Sequence, residues 1–279
     1  MTSTNDPGGG LVLSPAAGLS VVHTHPRLSL TLMGGFGLLV DGAPAELPAT
    51  CQRLVALLAL GGRMSRSRLA GSLWPETPEQ RALASLRTGI WRANQVAHRL
   101  VMPSGGMVDL SSTVDVDTRR FVGAALQIMG PGTSDLASQR PGPVPEMAEF
   151  AVDVLVADGE LLPDWEDDWL VAERERLRQL RLHVLESTAS RLSDGGDYGL
   201  ALEVALASLR IDPLRESAHR SVIRIHLAEG NVVEARRALD ICRETLLRDV
   251  GVELSAETVD LVPLPRAGGS RPTGVPAAR

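Results

Sequence analysis

Residues 79–97, EQRALASLRTGIWRANQVA, decide the fold because their apolar positions repeat with the period of an amphipathic helix. At about 100° per residue, five apolar residues fall on one side of that helix, where they can face a core. They are Leu83, Leu86, Ile90, Ala93 and Ala97. Pro78 and Glu79 suit the N-terminus of a helix. The opposite side is therefore predicted to face solvent.

That opposite side carries polar and small side chains suited to contact with nucleic acid. They are Arg81, Ala84, Ser85, Arg87, Thr88, Trp91, Arg92 and Gln95. Arginine can bind guanine or a phosphate bidentately, and Ser, Thr and Gln can bond base edges or backbone oxygens. Together with Gly89, the small residues would let the helix approach a DNA groove closely. Trp91 has two interpretations, contact with sugars or base edges and packing over a neighbouring hairpin, and we favour packing slightly.

Two shorter helices precede this one. The first is predicted from Cys51 to a stop at Gly61-Gly62. The second is predicted from a Ser65 cap to Trp74-Pro75. With the helix at 79–97 they give the order of a helix-turn-helix domain.

Strands are predicted on both sides of the three helices. Residues 28–42, LSLTLMGGFGLLVDG, alternate and end in Asp-Gly, which predicts a short β-hairpin or meander. Residues 100–110, with Ser104-Gly105-Gly106 at the turn, predict a second hairpin. A hairpin after the third helix is typical of the wing of a winged helix-turn-helix.

Charge is distributed unevenly along a chain whose net charge is −6. Residues 53–99 hold 8 Arg and 2 acids, whereas residues 141–260 hold 13 Arg and 25 acids. The concentrated positive charge favours a polyphosphate partner, although a solvated arginine-rich surface would give the same count. Arg66, Arg68 and Arg119, with Arg63 and Arg120, are predicted to contact phosphates, which set register and not sequence.

The second half of the chain is predicted to be helical and internally repeated. A shift of 34 residues aligns Gly196-Asp197 with Gly230-Asn231, Ala201 with Ala235, and Leu185 with His219. A turn glycine and a small residue where helices cross, at this period, are typical of tetratricopeptide-like helical hairpins. Because two repeats are fewer than the roughly three a stack needs, helices between Asp164 and Arg181 are predicted to complete it.

No catalytic, metal or cofactor site is predicted. The chain has no Lys, which excludes a P-loop lysine and a Schiff-base lysine, and its histidines lack the HExxH spacing. Its two cysteines, Cys51 and Cys242, are too far apart in sequence to suggest a zinc site or a disulfide framework. Four acids, Asp164, Glu166, Asp167 and Asp168, are interpreted as helix-dipole and capping groups. With no signal peptide or membrane span predicted, we expect a cytoplasmic protein.

These observations predict a mainly α fold with a small β component, in which a winged helix-turn-helix domain precedes a tetratricopeptide-like all-helical domain. The predicted boundaries are a disordered tail at 1–26, the DNA-binding domain at 27–122, a linker at 123–150, the helical domain at 151–262 and a second disordered tail at 263–279.

Two stretches resemble a known family. LLPDWEDDWLVAERERLRQLRLHVLE, DPLRESAHRSVIRIHLAEGN and LLRDVGVELSAET resemble the bacterial transcriptional activator domain. QRLVALLAL, SRLAGSLWP and LRTGIWRAN resemble the winged helix that precedes it in the Streptomyces antibiotic regulatory protein family. The resemblance covers residues 27–262.

The resemblance implies a transcriptional activator that binds promoter direct repeats as a side-by-side pair. It also implies recruitment of RNA polymerase through the sigma factor and the alpha subunit, with Arg81 to Gln95 as the DNA-reading helix. LRTGIWRAN has Trp91 where many members have a basic pair, so the target sequence does not carry over. No ATPase, receiver or phosphopeptide-binding module is recognised, which predicts a short form. The alternative is a helical protein-interaction scaffold with a degenerate DNA-binding domain.

Overall fold

The computed structural model describes residues 26–129 and 159–262. The two predicted tails, apart from Pro26, and residues 130–150 of the predicted linker lie outside those residues. The first described segment contains β1 (Leu28–Thr31), β2 (Gly37–Val40), β3 (Ala43–Pro44), α1 (Ala49–Gly61), β4 (Met64–Ser65), α2 (Arg66–Leu73), α3 (Glu79–Val96), β5 (Val101–Ser104), β6 (Met107–Leu110), β7 (Val114–Val116) and α4 (Asp117–Met129). The second contains α5 (Asp168–Asp194), α6 (Tyr198–Ile211), α7 (Glu216–Glu229), α8 (Val232–Val250) and α9 (Ala256–Val259).

A four-stranded sheet of order β3-β2-β1-β7 begins the fold, with β1 antiparallel to β2 and parallel to β7. The β2–β3 turn consists of Asp41 and Gly42, whose φ angles are 51° and 84°. A two-residue type I′ turn requires positive φ at both positions, which Asp-Gly tolerates. The predicted meander at 28–42 is therefore confirmed.

A second sheet of order β4-β6-β5 contains the wing. Gly105 and Gly106 form the β5–β6 turn with φ angles of 57° and 83°, where a side chain would be strained. β4 pairs with β6 through Met64↔Val108, so the wing is joined to the chain that enters α2. At that entry the Ser65 hydroxyl accepts a hydrogen bond from Arg68 N at 3.3 Å, as the sequence predicted.

The 34-residue repeat is confirmed as two equivalent helical hairpins. Gly196 and Gly230 have φ angles of 86° and 87°, and Asp197 and Asn231 follow them immediately before α6 and α8. The paired residues Ala201 and Ala235 are both fully buried, which lets neighbouring helices approach closely. The mainly α fold with a small β component, ending in a tetratricopeptide-like stack, is thereby confirmed.

The stack is completed differently from the prediction, which placed helices between Asp164 and Arg181. A single 27-residue helix, α5, occupies Asp168–Asp194 and contributes to two cores. Leu170 and Leu177 pack in the N-terminal core with the sheet and α1–α3, whereas Val184 and Leu192 pack with α6. The prediction was wrong because periodicity within one helix cannot show which partner each turn will meet.

α4 joins the two halves of the fold. It runs without a break across position 122, where the DNA-binding domain was predicted to end. Its Ala125 is fully buried in the second core, against residues of α5 and α6. Among the described helices, none has the length and hydropathy needed to cross a membrane.

Candidate nucleic-acid interface

α3 buries one side along its whole length. Leu86, Ile90, Ala93 and Ala97 are buried as the periodicity predicted, and Leu83 is half-buried. The sequence interpretation missed Ala82, which is 1% exposed. Because this side is fixed against the core, the orientation of the opposite side is fixed as well.

Every residue predicted to read DNA from α3 is exposed. These residues are Arg81, Ser85, Arg87, Thr88, Trp91, Arg92 and Gln95. The Thr88 hydroxyl donates to Ala84 O at 3.2 Å, within the helix, and its oxygen still faces solvent. The structure therefore places the predicted reading residues together on one accessible surface.

Trp91 is 61% exposed, so the interpretation that favoured packing over the wing was wrong. The third helix has enough small apolar residues to fill its side of the core without the indole. Trp91 instead adds a large, rigid apolar face to the exposed surface of α3. Such a face can contact sugars or thymine methyl groups.

Gly89 has a different role from the close groove approach that the sequence suggested. It is buried on the side of α3 that faces α1, where its carbonyl oxygen lies 3.5 Å from Cys51 Sγ. A Cβ at this position would lie 3.5 Å from the Leu54 side chain. Burial raises the pKa of the Cys51 thiol, and the nearby positive charge of Arg92 acts in the opposite direction. Gly89 thus belongs to the α1–α3 contact.

The arginines at this surface lack acidic partners. Within residues 26–129 and 159–262, no ion pair or hydrogen bond involves the guanidinium of Arg66, Arg68, Arg81, Arg87 or Arg92. The helical domain is different, since many of its arginines pair with carboxylates at 2.6–3.0 Å, including Arg176, Arg178, Arg215, Arg237 and Arg243. Unneutralised charge projects a positive potential into solvent, as binding a polyanion requires.

Arg66 connects the wing to α3. Its backbone N donates to Gly106 O at the wing turn, at 3.2 Å. Its side chain lines a shallow cleft with Gln80, Leu83, Leu86 and Arg87. The structure thus brings Arg66 and Arg87 together, and it adds Gln80, which sequence reasoning missed. The signal for Gln80 was its place one residue before Arg81 in the first turn of α3.

Arg119 and Arg120 are held by other parts of the fold. Arg119 Nε donates to Ala59 O at 3.3 Å, in the last turn of α1. Arg120 lies 3.3 Å from a carboxylate oxygen of Asp115. Both side chains remain exposed, but neither carries the fully unpartnered charge that Arg66 and Arg68 present.

Asn94 sets the angle between the wing and α3. Its amide nitrogen donates to Val101 O and its amide oxygen accepts from Val101 N, both at 2.9 Å. Val101 is the first residue of β5 and is fully buried. The wing therefore starts from a fixed point on α3.

The four acids near the start of α5 do not form a metal site. Asp167 occupies the N-cap position of α5 but makes no capping hydrogen bond; its carboxylate instead pairs with Arg53 at 2.8 Å and accepts from Trp169 Nε1. The capping interpretation was wrong for this residue. No cluster of three or more His, Cys, Asp or Glu side chains suited to a metal ion occurs in the described chain.

The fold is a winged helix-turn-helix with an exposed basic face on α3, followed by a tetratricopeptide-like stack; winged helix-turn-helix domains are a common class of DNA-binding domain. The family model of the bacterial transcriptional activator domain matches residues 122–262, half of the chain. The chain belongs to this family. The resemblance to the Streptomyces antibiotic regulatory protein family is thereby confirmed.

Two curated relatives are called Regulatory protein AfsR. The one from Streptomyces coelicolor is 28% identical over 228 residues, covering 76% of this chain and 22% of the relative. The one from Streptomyces griseus is 26% identical over 262 residues, covering 87% of this chain and 25% of the relative. This chain therefore spans about a quarter of the length of these relatives.

A solved structure shares the fold. Mycobacterium tuberculosis EmbR, in complex with a low affinity phosphopeptide, superimposes with a TM-score of 0.67 at 18% identity. The superposition covers 85% of this chain and 64% of EmbR. The match supports the order of a wing-bearing N-terminal domain and a helical activator domain.

Proposed function

We propose that this chain is a sequence-specific DNA-binding transcriptional activator that acts in the cytoplasm and catalyses no reaction. The observation that carries the proposal is the exposed face of α3. There Arg81, Arg87 and Arg92 lie beside Thr88 and Gln95, with no acidic partner for the three arginines in the described chain. The comparisons add that relatives of this chain are regulatory proteins.

The proposal divides the contacts between base reading and phosphate binding. Arg81, Ser85, Arg87, Thr88, Trp91, Arg92 and Gln95 address the major groove from α3. Arg66, Arg68 and Arg119 bind phosphates and set the register of the protein on the duplex. A bidentate arginine–guanine contact contributes about 1–3 kcal/mol of discrimination between bases, whereas a phosphate contact contributes none.

The test compares Arg92→Ala with Arg66→Ala. Genome-wide mapping of bound sites supplies one duplex, and its scrambled sequence supplies a second. Arg92→Ala is expected to weaken binding to the mapped duplex by about 5-fold to 150-fold, with little change on the scrambled one. Arg66→Ala is expected to weaken both duplexes similarly and to reduce the slope of log affinity against log salt by about 1.

Arg237→Ala is the matched control for loss of one positive charge. Arg237 is exposed on α8 and pairs with Glu234 at 2.6 Å, far from α3 in sequence. This variant is expected to bind both duplexes as the unchanged protein does. Equal losses on the two duplexes for both Arg92→Ala and Arg66→Ala would contradict the proposed division.

Binding to direct repeats is the next part of the proposal. Two copies docking side by side in the same orientation require half-sites about one helical turn apart, roughly 10–11 base pairs. Inserting about 5 base pairs between the half-sites rotates one copy to the opposite side of the duplex. We expect that insertion to abolish cooperative binding and an insertion of about 10 base pairs to restore part of it.

We propose that the helical domain recruits RNA polymerase through its sigma and alpha subunits. The surface of α8 supports protein contact because Val233, Ile241 and Leu247 are 66%, 58% and 56% exposed. Ile241→Asp should reduce transcription by purified polymerase without changing DNA affinity. If the chain were instead a scaffold with a degenerate reader, mapping would recover no sequence-specific sites and Arg92→Ala would leave its function intact.

A further inference from the structure

Residues 159–167, here called the joint, pack into the N-terminal domain although they lead into the helical domain. Leu161 and Leu162 are 2% and 0% exposed in the N-terminal core. Leu162 N donates to Leu32 O at 3.0 Å, and Gly34 N donates to Glu160 O at 2.9 Å. The joint therefore pairs through backbone hydrogen bonds with the segment that follows β1.

Arg174, a side chain of α5, binds the backbone of the joint at three points. Arg174 Nε donates to Leu161 O at 2.8 Å, and its Nη2 donates to Trp165 O at 2.7 Å and to Leu162 O. The Arg174 side chain is only 20% exposed and lies 3.5 Å from the Glu160 carboxylate. Its guanidinium thus binds three carbonyls near the core: Leu162 O also accepts from Trp165 N at 3.1 Å, whereas Leu161 O and Trp165 O depend on Arg174.

Two further contacts hold the joint against the N-terminal domain. The Trp165 ring stacks on Phe36, with centroids 6.0 Å apart and planes at 14°. At the end of the joint, Asp167 pairs with Arg53 of α1 at 2.8 Å, and the Asp167 side chain is 9% exposed. The joint is therefore attached both to the loop after β1 and to α1.

α1 is the helix on which the reading helix rests. Cys51 Sγ lies 3.5 Å from Gly89 O in α3, Leu54 packs in the same core as Leu86 and Ile90 of α3, and Arg53 holds Asp167. A continuous set of contacts thus runs from Arg174 through the joint and α1 to α3. Each step is a packed or hydrogen-bonded contact that can transmit a displacement.

We propose that Arg174 and Asp167 are positioning residues of the DNA-reading helix, supplied by the activator domain. The N-terminal domain alone lacks the joint and part of its own core. The activator domain therefore stabilises the domain that contains α3. Any effect of Arg174 and Asp167 on DNA affinity rests on the proposed function. The structural coupling is measured without DNA.

The test uses hydrogen exchange of the full chain in the absence of DNA. Arg174→Met keeps the length of the side chain and removes its donors. Amides of α1 and α3 are expected to exchange at least about tenfold faster in this variant, because Leu161 O and Trp165 O lose their partner and Leu162 O loses one of two. Arg176→Met is the matched control, since Arg176 lies on the same helix, half exposed, and pairs only with Glu173 in the described chain. It should leave α1 and α3 unchanged.

If Arg174→Met does not fold, Arg53→Gln provides a second test of the same coupling. Arg53 is 47% exposed, so its replacement removes the ion pair to Asp167 without opening the core. Exchange in α3 should increase by about twofold to fivefold. Faster exchange confined to residues 159–177 in either variant would overturn the proposal. If α3 exchanges faster in the variants but the unchanged protein binds no specific DNA sequence, the structural coupling is supported and the proposed function is refuted.

Discussion

Glu216, in the first turn of α7, accepts hydrogen bonds from both the backbone N and the hydroxyl of Ser255, 39 residues later. Thr258 donates to the same carboxylate oxygen. One acid therefore attaches the last described helix, α9, to the start of the second repeat. The end of the helical domain depends on the charge of Glu216.

This arrangement predicts a loss of stability in acid. Burial raises the pKa of Glu216, but the hydrogen bonds from Ser255 and Thr258 and the charge of Arg220 outweigh it and hold the pKa below its usual value. The unfolded chain consequently binds the proton first as pH falls, so the stabilisation is present above about pH 4.3 and is lost as pH falls through the folded pKa. Glu216→Gln should lower the free energy of unfolding by about 1–2 kcal/mol at pH 7 and reduce the acid-dependent loss.

Glu203→Gln is the control for this measurement. Glu203 is exposed on α6 and has no hydrogen bond or ion pair within the described chain. Urea unfolding from pH 7 down to pH 3 should show parallel curves for this variant and the unchanged protein. An equally steep pH dependence in Glu216→Gln would show that other groups cause it.

The Asn94–Val101 contact predicts that Asn94→Ala destabilises the N-terminal domain. The variant leaves the N–H and C=O of fully buried Val101 without their side-chain partner, at a cost of about 1–3 kcal/mol. Gln95→Ala, on the next and exposed residue, should change stability by no more than about 0.5 kcal/mol. Chemical denaturation measures both, and similar values for the two variants would contradict the assigned role of Asn94.

Trp91 gives a test that separates reading from packing. Trp91→Ala should leave the free energy of unfolding within about 0.5 kcal/mol, because the indole is 61% exposed, while lowering affinity for a mapped site. Leu86→Ala, on the buried side of the same helix, should cost about 2–5 kcal/mol. A large loss of stability in Trp91→Ala would restore the packing interpretation.

At Gly159 the backbone of the joint lies close to the backbone at Gly34. A Cβ at this position would lie 2.5 Å from the Cα of Gly34, a distance that backbone atoms do not tolerate. Gly159→Ala is therefore expected to lower the melting temperature. Gly71→Ala, where the Cβ meets no atom within 4 Å, should raise stability by as much as about 1 kcal/mol through helix propensity. The two changes measured by calorimetry should have opposite signs.

The local parts of the fold were predictable because their signals lie within a few residues. Apolar periodicity gave the buried side of α3, the Asp41-Gly42 pair gave the β2–β3 turn, and the 34-residue spacing gave equivalent buried alanines at 201 and 235. Each of these features follows from the geometry of one helix, one turn or one repeat.

The joint was not predictable from the sequence for a physical reason. Apart from Leu170 and Leu177, the buried residues of the core that Leu161 and Leu162 complete lie more than 30 positions earlier in the chain, and nothing in the spacing of the two leucines identifies that core. Asp167 shows the same limit, since acids before a helix are ordinarily capping groups, and only the fold brings Arg53 within 2.8 Å of it. The exposed face of α3 was therefore predictable, whereas the contacts that support α3 were not.

The continuity of α5 limits how this protein can be recombined with others. A chimera cut at the proline-rich stretch would exchange the whole helical domain by sequence criteria, yet it would remove Leu161, Leu162, Leu170 and Leu177 from the N-terminal core. A viable crossover has to fall beyond Leu177, in the middle of a helix. For the DNA reader proposed above, exchange of target specificity is therefore easier by replacing the face of α3 than by swapping whole domains.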